Sequence, residues 1–220
     1  MKPNCRFCFR DFLLCKPDQF AVFKCCQKFK WAQWSGFVDF FAVNTVQEAL
    51  KVRKISNSEI LIAAPISPSD FSLASKNNIS LCVHSLDYLS VIKNIKLKIH
   101  LKINTGTNRL GLSLVDLLKA VNLLRHHKNL IPEGIYTHFH SSDEGSPQSL
   151  IQLDIFNQAV SQTKYYFPEI LAHCSSSSSA LLWPQTHQDM IRIGIALYGL
   201  WPDPYVKKHS PGKIYRYFRT

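Results

Sequence analysis

The sequence predicts an α/β fold, specifically a (β/α)8 barrel, and three observations support this prediction. Short apolar runs rich in β-branched residues recur along the chain, helix-capable segments separate most of them, and eight such units fit within 220 residues. This alternation is typical of repeated βα units that form a parallel sheet. An open doubly wound sheet is the alternative arrangement of the same units.

The predicted strands are eight short apolar runs. They are FAVF (20–23), FFAVN (40–44), ILIAA (60–64), ISLCVH (79–84), LKIHLKIN (97–104), GIYTHFH (134–140), ILAHCS (170–175) and IRIGIALYG (191–199). We therefore expect one barrel domain over residues 20–203. An atypical segment rich in cysteine and basic residues precedes it at 1–19, and a basic tail follows it at 204–220.

Three of the segments between these runs carry helix signals. Thr45 is followed three residues later by Glu48, which is the capping-box pattern. Ser113 opens a segment with helical apolar spacing that ends in basic side chains, as the helix dipole favours. Ser146 and Pro147 form an N-cap and first-turn pair before the third helix.

The net charge of +11 is concentrated at the two ends of the chain. Residues 1–30 carry seven basic and two acidic side chains, residues 207–220 carry five basic and no acidic ones, and the body between them is nearly neutral. A neutral body argues against a nucleic-acid-binding groove across the fold. We expect no specific nucleic-acid partner, although the ends could bind polyanions nonspecifically.

Neither a membrane segment nor a metal site is expected. No apolar run is long enough to cross a bilayer, and Asp11, Lys16 and Asp18 interrupt the apolar stretch near the N-terminus, so we expect a cytoplasmic protein with reduced thiols. Cys5 and Cys8 have half of a zinc-site spacing, but no convincing second pair accompanies them.

In a (β/α)8 barrel, chemistry takes place where the strands end and the βα loops begin. Cationic and hydroxyl side chains gather at five of these predicted strand ends: Lys24 after strand one, Lys102 and Arg109 at strand five, His138 and His140 at strand six, His173 and a serine run at strand seven, and Arg192 at strand eight. Such a set suits an anionic ligand that carries a phosphate group.

Several ordered motifs together resemble the barrel domain of alanine racemases, over roughly residues 37–203. They are FFAVNTVQEALKVRK, LKINTGTNRLGL, EGIYTHFHSSDE and HCSSSSSALLWPQTHQDMIRIGIALYGLWP. The resemblance implies the cofactor pyridoxal 5′-phosphate (PLP), alanine as substrate, and interconversion of L- and D-alanine that supplies peptidoglycan synthesis. It also implies a homodimer, which this chain alone leaves open.

The resemblance assigns roles to residues that bind the PLP ring. Arg109 is similar to the family arginine that hydrogen-bonds the phenolic oxygen, and Lys102 to a lysine that is carbamylated in some members. For Lys102 a lysine snorkelling from the strand end is the alternative. Arg192 resembles the arginine at the pyridine nitrogen, and His138 the histidine that supports this arginine. Because arginine does not readily share its proton, the ring nitrogen would stay unprotonated, which favours racemisation over transamination.

The serine run, which could otherwise be a low-complexity linker, coincides with the family's phosphate site. Counting back from the Arg192 motif selects Ser177. Gly194 and Ile195 correspond to residues whose backbone amides face the same phosphate, and the glycine allows a close approach.

Two catalytic groups of the family are doubtful here. The counterpart of the lysine that binds PLP covalently is Lys24, but the Ala-x-Ala-Tyr-Gly pattern that follows this lysine in the family is missing. The second base is a tyrosine from a C-terminal β domain, which we do not expect in this chain, and racemisation usually requires two bases. The chain is therefore expected to be a truncated racemase with replaced or out-of-frame ends and doubtful activity. The alternative is a stand-alone PLP-binding barrel of the cofactor-homeostasis type.

Overall fold

Eight parallel strands form a closed barrel in this computed structural model, which describes residues 19–23, 38–92 and 94–211. The strands are β1 Gln19–Phe23, β2 Phe40–Val43, β3 Glu59–Ile62, β4 Ile79–Val83, β5 Leu97–Lys102, β6 Leu130–Tyr136, β7 Leu171–His173 and β8 Met190–Ile193. Their order in the sheet is β7-β6-β5-β4-β3-β2-β1-β8. Backbone hydrogen bonds from Asp189 to Ala172 (3.1 Å) and from Arg192 to Ser175 (3.3 Å) join β7 to β8. The predicted (β/α)8 barrel is confirmed.

Helices surround the sheet in the described part of the chain. They are α1 Val46–Arg53, α2 Phe71–Lys76, α3 Leu86–Ile92, α4 Leu114–His126, α5 Gln148–Lys164, α6 Ser177–Leu182 and α7 Pro204–His209. None of them is both long and apolar enough to span a bilayer.

The predicted helix starts are governed by side-chain caps. The Thr45 hydroxyl accepts a hydrogen bond from the amide of Glu48 at 3.2 Å, and Ser113 caps α4 in the same way. Helix α5 begins at Gln148, slightly later than predicted, yet the Ser146 hydroxyl still accepts from its amide at 3.3 Å. Capping chemistry therefore fixes these helix starts to within about two residues.

Strands β6 and β8 differ in length from the predicted runs. Strand β6 begins at Leu130 and ends at Tyr136, so His138 lies in the following loop. The run predicted as strand eight ends at Ile193, because Gly194 departs from extended geometry with φ −115° and ψ −94°. A short 3-10 helix, Ile195–Tyr198, follows it.

Side chains on each strand alternate between the helices and the barrel interior. On β5, Leu97, Ile99 and Leu101 belong to the core between sheet and helices, whereas the residues between them, His100 among them, face inward. On the facing strands the interior holds a small apolar cluster of Phe40, Leu61 and Met190. The interior also contains fully buried polar side chains, including Ser80, His100 and Arg192.

The C-terminal helix α7 packs against the barrel. Val206 is fully buried, and the Ser210 hydroxyl donates to the carbonyl of Leu181 at 3.4 Å. The ring of Tyr205 lies where a side chain at Gly145 would stand, 2.0 Å from its Cβ position. The part of the predicted basic tail up to Ser210 is thus a packed element of the fold.

Candidate functional site

A cleft of about 670 Å³ opens at the carboxyl ends of β5 to β8. All six residues to which the family resemblance assigns cofactor binding line it: Arg109, His138, Ser177, Arg192, Gly194 and Ile195. Lys102 borders a much smaller neighbouring cavity together with Arg109 and His138. Lys24, the predicted covalent attachment residue, lies outside the described residues.

The turn after β5 is built to present Arg109. The side-chain oxygen of Asn104 accepts hydrogen bonds from the amides of Gly106 (3.2 Å) and Asn108 (3.0 Å). The base of the turn is closed by Leu112, whose amide donates to the carbonyl of Lys102 at 2.7 Å. An exposed arginine at the edge of a loop held in this way can meet an anionic oxygen without first ordering the backbone.

Arg192 projects from β8 into the interior and is almost fully buried. Its Nη1 donates to Nδ1 and to the carbonyl oxygen of His173, both at 2.9 Å. Its Nη2 donates to the carbonyls of Thr137 (2.7 Å) and Cys174 (3.2 Å). Burial lowers the pKa of Arg192 to about 10, so the guanidinium remains cationic at neutral pH. Four protein acceptors therefore hold a fixed cation at the floor of the cleft.

The histidine bonded to Arg192 is His173 on β7, whereas the family resemblance gave this supporting role to His138, which lies in the loop after β6. His173 is fully buried and stacks on the ring of Tyr136, with the planes 5° apart and the centroids 4.9 Å apart. His138 faces the cleft instead. Desolvation within the cleft is the main cause that lowers the pKa of His138 to about 4, and the cations Arg192, Lys102 and Arg109 lower it further, so its ring is neutral at neutral pH.

The predicted phosphate-binding elements touch one another. The Ser177 hydroxyl accepts hydrogen bonds from the amides of Gly194 (2.9 Å) and Ala196 (3.4 Å). The serine run is not a linker, since Ser177 to Ser179 are buried in α6 and Ser176 caps this helix. The contact fixes the first turn of α6 against the loop after β8.

Lys102 ends β5 beneath Arg109 and is buried at 8% exposure. Burial is the main cause that lowers the pKa of Lys102, and the neighbouring Arg109 and Arg192 lower it further. Its ammonium nitrogen lies 5.8 Å from the ring centroid of Tyr136, whose hydroxyl donates to the Cys82 sulfur at 3.0 Å. The lysine is thus enclosed by the barrel rather than extended into solvent.

Charge is arranged by depth in the cleft. The buried Arg192 lies at the floor and the exposed Arg109 at the edge, and Asp143 and Glu144, in the loop after β6, also line the cleft. A cationic floor and edge, with hydroxyl groups nearby, favour a compact anion with its negative groups directed inward. Fold and site together define the class of the protein: a (β/α)8 barrel with a cleft lined by cationic and hydroxyl side chains at its carboxyl-terminal face.

Comparison with known proteins identifies the family. The model of the alanine racemase N-terminal domain matches residues 28–202, and the chain belongs to this family. It is 35% identical to an alanine racemase of Staphylococcus carnosus over 80% of this chain and 48% of that protein, and 33% identical to one of Halalkalibacterium halodurans over 78% and 47%. The chain spans about half the length of these curated relatives.

Solved structures agree on the fold. The alanine racemase of Clostridium difficile 630 superposes with a TM-score of 0.80 at 24% identity, over 97% of this chain and 60% of that one. The alanine racemase of Bacillus anthracis, solved with bound L-Ala-P, gives a TM-score of 0.78 at 23% identity, over 91% and 56%.

Proposed function

We propose that this chain binds PLP in the cleft and serves as the cofactor-binding barrel of an alanine racemase, interconverting L- and D-alanine. The observation that carries the proposal is Arg192, a buried cation held by four acceptors at the floor of the cleft. By its resemblance to the family motif, this arginine would be the one that meets the pyridine nitrogen. Relatives that cover most of this chain are named alanine racemases.

The chemistry of the donor set fits PLP. The hydroxyl of Ser177 and the amides at Gly194 and Ile195 would hold the phosphate, because these groups already converge at one end of the cleft. Arg109 would bind the phenolic oxygen, and Arg192 would donate to the ring nitrogen, which is an acceptor. The three anchoring points therefore match the three polar ends of the cofactor.

When bound, PLP supplies an electron-withdrawing ring that stabilises the carbanion left by removal of the α-proton of alanine. Arg192 donates a hydrogen bond but keeps its own proton at neutral pH, since its pKa remains about 10. Arg192 would therefore hold the ring nitrogen without protonating it, which would favour racemisation over transamination. Neutral His138 adds no further charge beside this cation.

We also propose that Lys102 reacts with carbon dioxide. A lysine attacks carbon dioxide only as the neutral amine, and burial lowers the pKa of Lys102. Its nitrogen would bond to the carbon and release one proton, which leaves an anionic carbamate. The small cavity shared with Arg109 gives this group a cation to pair with. Labelled carbon dioxide should give a carbamate NMR signal that is absent in Lys102→Ala; no signal in the parent protein at neutral pH would contradict the proposal.

A second candidate is a barrel that binds PLP without racemase activity. One observation favours it: among the described residues that line the cleft there is no tyrosine, and racemisation usually needs a base on each face of the substrate. The first base would be Lys24, which should carry PLP covalently and be recovered as a modified peptide after borohydride reduction.

One experiment separates the candidates. The purified chain is titrated with PLP, and the loaded protein is given D-alanine while formation of L-alanine is measured. Saturable binding with racemisation supports the first candidate, binding without racemisation supports the second, and no binding contradicts both. The matched variants are Arg109→Ala, expected to weaken binding, and Arg125→Ala, an exposed arginine stacked on Tyr166 that should leave binding unchanged.

A further inference from the structure

A chain of buried hydrogen bonds runs through the barrel interior and ends at Arg192. His173 accepts from Arg192 through Nδ1, and its Nε2 lies 2.9 Å from Nδ1 of His100 on β5. Nε2 of His100 lies 3.1 Å from a carboxylate oxygen of Glu133 on β6. Both imidazoles are fully buried. The cation of the cleft is thus connected through two imidazoles to the carboxylate of Glu133, whose side chain is 13% exposed.

The Glu133 end of this series of hydrogen bonds reaches the face of the barrel opposite the cleft. Glu133 also accepts hydrogen bonds from the Ser80 hydroxyl and from Lys98, the latter at 2.9 Å. Lys98 in turn pairs with Glu59 at 2.8 Å, and these two side chains are partly exposed. Burial alone would raise the pKa of Glu133, but the bonds from His100, Ser80 and Lys98 outweigh it and lower the pKa to about 2.

The backbone of β5 and β6 leaves room for these hydrogen-bonded side chains. The pairing of β5 with β6 shifts by one residue, so that Ile99 pairs with Pro132 and His100 with Gly134, which leaves Glu133 as the extra residue of a β-bulge. A Cβ at Gly134 would lie 2.2 Å from Nδ1 of His100. The bulge directs the Glu133 carboxylate inward, and Gly134 leaves space for the His100 ring. Both features allow His100 and Glu133 to form their hydrogen bond.

The direction of every hydrogen bond follows from the two ends. Arginine has only donors, so Nδ1 of His173 must accept and its Nε2 carries the proton. His100 therefore accepts through Nδ1 and donates through Nε2 to the ionised Glu133. Any proton added to either ring would meet a donor instead of an acceptor. The hydrogen-bond directions therefore place the proton of each ring on Nε2 and hold both rings in one tautomer, although polar groups in this interior cost stability compared with apolar filling.

We infer that His100 and Glu133 are positioning residues for Arg192, which act through His173 to fix the orientation of the guanidinium and to balance its charge. The inference rests on the proposed function for its consequence, since the group that Arg192 would meet is the ring nitrogen of PLP. His100 and Glu133 would control this contact although neither residue lines the cleft.

The hydrogen-bond chain can be tested without PLP. Imidazole ¹⁵N NMR of the full cofactor-free chain at neutral pH should show His100 and His173 protonated at Nε2 alone. A ring protonated at Nδ1, or at both nitrogens, would overturn the inference. In Glu133→Gln the nitrogen resonances of His173 should shift, whereas Glu59→Gln, which removes a charge beside Lys98 but does not touch His100, should leave them in place. Equal effects of the two substitutions would also overturn it.

The consequence for the cofactor is tested by absorbance. Glu133→Gln should move the absorbance maximum of bound PLP without a comparable loss of affinity, because the phosphate-binding residues are untouched, and Glu59→Gln should not move it. An unchanged spectrum in Glu133→Gln would contradict the positioning role. If the parent protein takes up no PLP, the proposed function fails, while the NMR measurement still decides whether the hydrogen-bond chain exists and has this direction.

Discussion

Arg192 brings a positive charge into the barrel interior, where a charge is costly unless polar groups surround it. Its four hydrogen bonds to His173, Thr137 and Cys174 meet this requirement, and its guanidinium also lies 5.4 Å from the ring centroid of Tyr136. The same contacts tie together the ends of β6, β7 and β8. At the scale of single residues, the group proposed to bind the cofactor is also a structural link of the barrel.

Replacing this arginine should therefore cost stability as well as function. Arg192→Leu removes a donor from four buried acceptors, one of which, the His173 carbonyl, also accepts from the Thr137 amide at 3.3 Å, so we expect the free energy of unfolding to fall by about 3 to 5 kcal/mol. Urea denaturation measures the change. Arg125→Leu, at an exposed site on α4, should change it by about 0.5 kcal/mol or less. A loss below about 1 kcal/mol for Arg192→Leu would contradict the structural role.

Because of Glu133, the free energy of unfolding should depend on pH in the acidic range. Its pKa is lowered from 4.5 to about 2, so the folded state favours the ionised form. The stabilisation is present above pH 4.5, the ordinary value, and is lost as the pH falls toward 2. Urea denaturation of the parent protein and Glu133→Gln should give a difference that shrinks over this interval. A difference that stays constant between neutral pH and pH 2 would show that the carboxylate is not ionised by these contacts.

At the scale of elements, the sequence predicts the eight strands and the main helix starts because both depend on local chemistry. Apolar β-branched runs and capping residues act within a few neighbours, so they are readable in the printed order. The end of β8 was predicted too late because the apolar run continues through the 3-10 helix, and only the backbone geometry of Gly194 ends the strand.

The turn after β5 provides a test at this scale. Gly106 and Gly111 both have positive φ, at 145° and 137°. A Cβ at Gly111 would lie 2.6 Å from the backbone nitrogen of Asn104, whereas one at Gly106 would meet only the flexible side chain of Gln152 at 3.2 Å. We expect Gly111→Ala to lower the thermal midpoint and PLP affinity more than Gly106→Ala. Equal losses for the two variants would mean that the backbone at Asn104 moves enough to accommodate a side chain at position 111.

The contact between α6 and the loop after β8 gives a second test. Ser177→Ala removes the hydroxyl that holds the amides of Gly194 and Ala196. PLP affinity should fall by roughly 10- to 100-fold, the cost of a hydrogen bond to a charged group. Pyridoxal, which lacks the phosphate, should bind parent and variant alike in the same titration. A similar loss for both ligands would place the effect outside the phosphate site.

At the scale of the whole molecule, the fold and the clustering of the predicted residues could be read from the sequence, but the interior network could not. Polar side chains occupy every second position of predicted strand five, at Lys98, His100 and Lys102. This period of two indicates that one face of the strand, the one toward the barrel interior, is polar. Their partners Glu133 and His173 come from other strands, and a bulge sets the register between them. Contacts of this kind depend on the closed sheet and on a one-residue shift that no local pattern displays.

The residues at the ends of β5 to β8 form the site that we propose binds PLP. The measurement that tests this most directly is equilibrium binding of PLP to the purified full chain, with the parent protein and Arg109→Ala compared under the same conditions. Saturable binding of one PLP per chain, weakened in the variant and reduced by competing inorganic phosphate, is the predicted result. Absence of saturable binding, or binding that neither the substitution nor phosphate affects, would contradict it.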